Sequence, residues 1–125
     1  MDIEEIRTFC LNLPDVQEDV KWGHDLCFLI GGKMFCVTGF SADSGVSLKV
    51  RDEEFEELSS SEGIIPAPYL ARHKWIYIKP RSRFKRKEWE HYISQSYELI
   101  KSKLPAKVRQ GIGSSSAKKA KAKKK

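Results

Sequence analysis

The chain is poor in cysteine, and what it has is not arranged to hold a metal or a cross-link. Cys10, Cys27 and Cys36 are odd in number and form no Cys-x-x-Cys pair, and each sits among apolar neighbours. Buried reduced thiols account for them better than a disulfide or a zinc site. No apolar run approaches the roughly 20 residues that a membrane helix needs. The opening Met-Asp-Ile-Glu-Glu is acidic and lacks the basic, then apolar, design of a secretory signal, so a cytoplasmic protein without a membrane partner is expected. No phosphate-loop, dinucleotide-glycine, His-Glu-x-x-His or Gly-x-Ser-x-Gly signature occurs, so no enzymatic activity, cofactor or metal is expected. His24 has no second ligand at metal spacing, and His91 falls off the apolar stripe of its helix. Glu53, Glu54, Glu56 and Glu57 read as a solvated helix face, because nothing beside them supplies a rigid oxygen cage. No internal repeat is present.

With 125 residues, 40% hydrophobic and 32% charged, the chain has room for one globular core. Its charge is segregated. Residues 1–71 hold 14 acidic and 5 basic side chains. Residues 72–87 hold eight basic ones (Arg72, Lys74, Lys79, Arg81, Arg83, Lys85, Arg86, Lys87) and no acid. The last twenty residues add eight more, again without an acid, among them Lys118, Lys119 and Lys121. A polyanion would respond to this clustering rather than to the net charge of +6. The bland counterpart is a solubilising tail and one solvated basic face.

Asp2 with Glu5 makes a capping box for a first helix bearing Ile3, Ile6, Cys10 and Leu13 and ending at Pro14. Two short β-forming runs, 26–30 and 34–40, flank Gly31-Gly32 and predict a hairpin. A weaker strand around 16–22 precedes them. In Val46–Val50, residues 46, 48 and 50 face one way and Ser47 and Lys49 the other, as in a half-buried strand paired with 34–40. Asp52 is expected to cap a short helix with Phe55 and Leu58 inward, followed by a loop over 64–74 and a strand at 75–78. Ser82 is expected to start the longest helix, whose stripe of Trp89, Tyr92, Ile93, Tyr97, Ile100 and Leu104 stops at Pro105. Residues 106–125 read as a disordered Lys-rich tail. The element order predicts an α+β two-layer sandwich: an antiparallel sheet covered on one face by the N- and C-terminal helices, with Lys49 on the other face toward solvent or a ligand.

Two segments carry chemistry. Residues 65–75 interleave Tyr69, Arg72, His73, Lys74 and Trp75 behind Pro66 and Pro68, which suits phosphates and stacked rings. The competing reading is that Tyr69 and Trp75 anchor the loop while the charges stay in water. Residues 79–87 put cations at the start of the long helix, where they oppose its dipole and where an arriving anion would be favoured.

Ile3-Glu-Glu-Ile-Arg7 with Leu11-Asn-Leu-Pro14, Lys21-Trp-Gly23, Gly32-Lys-Met-Phe35, Leu48-Lys49, Ile65-Pro-Ala-Pro-Tyr69, His73-Lys-Trp75, Ser96-Tyr-Glu-Leu-Ile100 and Lys103-Leu-Pro105 occur in this order. Together they resemble the MmcQ/YjbR family over residues 1–105. The resemblance implies a CyaY-like (frataxin-like) sandwich and DNA binding through a double wing, without enzymatic activity. A frataxin-like fold also suggests iron, but the first helix offers only Asp2, Glu4 and Glu5. The expectation is therefore a non-enzymatic protein binding duplex DNA with weak sequence preference. Its contacts would be Lys49, Arg72, Lys74, Lys79, Arg81, Arg83, Lys85, Arg86, Lys87, Lys118, Lys119 and Lys121. The alternative is a sensor or enzyme for a small anionic ligand, with a pocket at Lys49, Tyr69, His73 and Trp75.

Overall fold

The computed structural model describes residues 1–112. Asp2 caps the first helix, α1 (Ile3–Leu11): its carboxylate accepts the Glu5 N–H at 2.8 Å, and Glu5 accepts the Asp2 N–H at 2.9 Å. The helix stops at Leu11, short of Pro14, with Asn12 as its C-cap. Three strands follow as an antiparallel meander: β1 (Val16–Lys21), β2 (Asp25–Ile30) and β3 (Lys33–Thr38). Gly31 and Gly32 turn the β2–β3 hairpin with φ of 58° and 82°, the left-handed pair that matches strand twist. A Cβ on Gly31 would also sit 2.7 Å from Leu104 Cδ1, so this glycine serves both the turn and the packing.

β4 (Val46–Lys49) pairs with β3, as its alternation predicts. Helix α2 (Asp52–Ser59) begins one residue earlier than a cap at Asp52 would give. Arg51 occupies the cap position, and Glu54 accepts its N–H at 3.0 Å. The segment expected as a loop over 64–74 contains a strand, β5 (Ile64–Pro66), and a single 3₁₀ turn (Ala71–His73). β6 (Trp75–Ile78) inserts between β4 and β5 and closes a six-stranded antiparallel sheet of order β1-β2-β3-β4-β6-β5. A second 3₁₀ turn (Arg81–Arg83) precedes α3 (Arg86–Lys101), so the cap is Lys85 and not Ser82; Glu88 accepts the Lys85 N–H at 2.8 Å.

Residues 106–111, read from composition as part of the tail, form a short helix, α4 (Ala106–Gly111). Arg109 ties it back through the Leu104 carbonyl at 2.9 Å. Lysines 118, 119 and 121 lie outside the described residues.

The chain is thus a mixed α+β protein. One sheet face carries Phe28, Cys36, Leu48 and Ile76 in register and is buried against Ile6 and Cys10 of α1 and Trp89, Ile93 and Tyr97 of α3. The Tyr97 hydroxyl donates to the Pro14 carbonyl at 2.7 Å, tying α3 to the end of α1. All three cysteines are buried and free. A hydrogen-bonding contact with Cys36, and then burial, push the Cys10 thiol pKa upward, and burial pushes that of Cys27 up to about 11. Among the described residues no helix is long and apolar enough to cross a membrane.

Candidate nucleic-acid interface and ligand groove

The basic run 72–87 is continuous in sequence and divided in space. β6 lies within it, and at about 3.3 Å per residue a strand separates its two ends by more than 10 Å. At one end, Arg72 is exposed on the 3₁₀ turn, and Lys74 lays its ammonium 5.1 Å from the centre of the Phe55 ring. At the other end stand Lys79 and the cations leading into α3.

Three of the latter arginines are occupied by the fold. Arg81 donates to the Met1 carbonyl at 3.2 Å, to that of Ala42 at 2.7 Å and to that of Ser44. Arg83 donates to the Glu62 carbonyl at 2.7 Å. Arg86 pairs with Glu5, whose carboxyl is held below its usual range by the Asp2 N–H and then by this guanidinium. Lys79 has Asp43 at 3.9 Å. Lys85 and Lys87 are exposed and make no ion pair among the described residues.

Lys49 is a correction. It points to the sheet face that its alternation predicts, yet it is only 8% exposed and does not reach solvent as a contact residue. The returning 67–74 segment lies over that position, held by an Ala67 N–H to Trp75 carbonyl bond of 3.0 Å. The Lys49 ammonium donates to the His73 carbonyl at 2.5 Å. Desolvation, with Lys103 next, lowers its pKa.

Of the residues of the expected pocket, Lys49 reaches the His73 carbonyl and pairs in register with Trp75, while Tyr69 borders a different cavity. The His73 ring is exposed, Trp75 is buried, and Tyr69 stands 100% exposed. Acidic residues 53, 56 and 57 are solvated, and no group of metal-binding side chains occurs among the described residues.

A different groove occupies this face. Across it run Asp19, Cys27, Val37, Ser47, Tyr77 and Ile65, one per strand in register. A cavity of about 620 Å³ opens over Met34, Val37 and Ser47. The β5–β6 connection walls it with Pro68, Tyr69 and Leu70; the β1–β2 turn supplies Trp22 and Asp25. An adjoining lobe of about 590 Å³ shares Asp25, Val37, Ser47 and Pro68 and adds His24, Phe40, Ser41, Ser44 and Tyr77. Trp22 is 68% exposed. Trp22 and Tyr69 have φ of 56° and 67°, a left-handed backbone that bulky residues seldom adopt. The sequence signals Tyr69 through the proline-fixed loop. Trp22 is visible only as part of Lys21-Trp-Gly23, and nothing local relates it to Tyr69.

A crystal structure of a Pseudomonas syringae protein is similar to this chain, with a TM-score of 0.67 at 20% identity, covering 79% of this chain and 98% of that one. At that identity the likeness concerns the fold. No curated protein matches the chain in sequence. The YjbR family model matches residues 11–99, a span that runs from the end of α1 through all six strands into α3. The architecture and the ordered motifs thus converge with the family match: the chain belongs to the YjbR family.

Proposed function

We propose that the chain is a small non-enzymatic module that binds duplex DNA through phosphate contacts, with weak sequence preference and no cofactor. The observation that supports this reading is the exposed cationic start of α3. Lys85, Arg86 and Lys87 stand where the helix dipole disfavours positive charge, so helix stability does not account for them, whereas an anion there is favoured twice over. In this reading Lys79, Lys85 and Lys87 are the principal contacts of the folded part. Arg86 shares itself with Glu5, Arg72 and Lys74 form a second, smaller contact across β6, and Arg81 and Arg83 act by fixing the backbone. The Lys-rich residues beyond 112 add sequence-independent attraction. The finer assignments, a CyaY-like fold presenting a double wing and a cytoplasmic setting, belong to the same proposal.

The test is the salt dependence of duplex affinity. Releasing condensed counterions gives a log–log slope of about −0.9 per phosphate contact. A chain ending at Ile112 lacks six lysines, and its slope should be shallower by several units. Lys85→Gln with Lys87→Gln should remove about two more. Slopes equal to that of the full chain in both variants would end this reading and leave the cations as solubilising charge.

A further inference from the structure

We propose that the groove on the open sheet face is a seat for a nucleobase: a flat heteroaromatic ring bearing an amino group, stacked on Trp22 and Tyr69, its amine directed to Asp25.

Four observations carry this. Trp22 and Tyr69 are 68% and 100% exposed, so neither contributes much to the core, and both border one cavity. Both are held in a left-handed conformation that glycine or asparagine would adopt at lower cost; such cost persists at sites where the side chain is used. The cavity, about 620 Å³, lies within the range of small-ligand sites. Its polar groups are few and suited to a base edge. Asp25 is its one charged residue, a carboxylate that accepts N–H bonds and disfavours a phosphate beside it. The Ser47 hydroxyl makes no hydrogen bond among the described residues and can donate or accept. The adjoining lobe, with Ser41, Ser44 and His24, has room for the sugar. Adenine, cytosine and guanine carry the exocyclic amine; thymine and uracil do not. Aromatic stacking on either ring tolerates any base, so Asp25 supplies the preference.

The base can come from a single strand or from a free nucleotide. The strand source rests on the nucleic-acid reading above, and the free source stands without it. Neither Lys85 nor Lys87 lines either lobe of the groove, so the two readings fail separately.

The experiment titrates the full chain with AMP, CMP and UMP, with an unstructured single-stranded adenine- and cytosine-containing octamer, and with the matching duplex. It follows tryptophan fluorescence, since Trp75 and Trp89 are buried and Trp22 is not. Saturable quenching by AMP and CMP, weaker by UMP, identifies a nucleotide site. Quenching by the octamer alone identifies a strand site. Trp22→Gly and Tyr69→Gly should each lower affinity at least fivefold, with Trp22→Gly followed by calorimetry because it removes the reporter. Asp25→Asn should narrow the difference between CMP and UMP. Both glycine variants suit the local backbone, so circular dichroism should show an unchanged fold. No saturable binding of any mononucleotide or of the octamer overturns the proposal, as does full affinity in the two glycine variants.

Discussion

The hydroxyl of Ser96, on α3, accepts the backbone N–H of Lys49, on β4, at 3.0 Å. The same hydroxyl donates to the Phe35 carbonyl of β3 at 2.6 Å. The β3–β4 ladder pairs Cys36 with Leu48 and Val37 with Ser47, and the serine bridges the two strands beyond its end. A helix side chain thus takes the place of a strand partner, inside a site where Ser96 is wholly buried.

Ser96→Ala should therefore cost more than an ordinary surface serine. It leaves a buried N–H and a buried carbonyl without that partner, a loss of about 1–3 kcal/mol. Urea unfolding should show a lowered midpoint with an unchanged m-value. A midpoint equal to that of the native chain would show that water or a strand shift replaces the hydroxyl.

Lys49 should behave as a structural residue. Its folded pKa lies below the unfolded value, so the unfolded chain binds the extra proton in the alkaline window beneath about 10.4. The charged form is a penalty at neutral pH that fades as pH rises through the folded pKa. Lys49→Met should be neutral or up to about 1 kcal/mol more stable at pH 7, with its advantage shrinking toward pH 10. DNA affinity should not change. A clear loss of affinity with the fold intact would return Lys49 to the interface.

Arg81 and the lysine pair should separate folding from binding. Arg81→Ala removes the donor from three backbone carbonyls in Met1, Ala42 and Ser44, and should lower stability by about 1–3 kcal/mol. Lys85→Gln with Lys87→Gln should leave the melting temperature within about 2 °C of the native value, since exposed charges contribute little to stability. Thermal melts of the two variants side by side check this. Equal melting temperatures for Arg81→Ala and the native chain would make Arg81 a surface cation like its neighbours.

Tyr69→Gly should raise the melting temperature or leave it unchanged, while Leu70→Gly lowers it. Tyr69 has no burial to lose and a positive φ to relieve, whereas Leu70 is half-buried in the wall of the groove. The expected gain is up to about 4 °C for a domain of this size. A fall for Tyr69→Gly would mean that the ring holds the loop, as the anchoring reading of this segment supposes.

Features decided within a few residues were legible in the sequence. The Asp2–Glu5 capping box, the Gly31–Gly32 hairpin, the alternation of Val46–Val50 and the apolar stripe of α3 all rest on hydrogen bonds and periodicities of short reach. So does the segregation of charge, because composition needs no fold. The start of α3 is not legible locally because Ser82 is the better capping residue, whereas the Lys85 side chain has no oxygen to accept an N–H; the Arg81–Arg83 turn takes up Ser82 and moves the helix start to Arg86. α4 is not legible in the sequence because its lysine and arginine resemble the tail that follows.

What joins distant segments was settled by tertiary structure alone. β5 is three residues long, ends in Pro66 and becomes a strand only because β6 offers it an open edge. Lys49 alternates as a solvent-facing residue must, and only the return of 67–74 across that face buries it. The run 72–87 looks like one basic patch until β6 extends through it. Trp22 and Tyr69 meet at one groove because the β1–β2 turn and the β5–β6 connection emerge over the same sheet face. Local patterns set which way a side chain points on its own element. Which other element covers it depends on how the whole apolar surface is removed from water, and no short window of sequence contains that information.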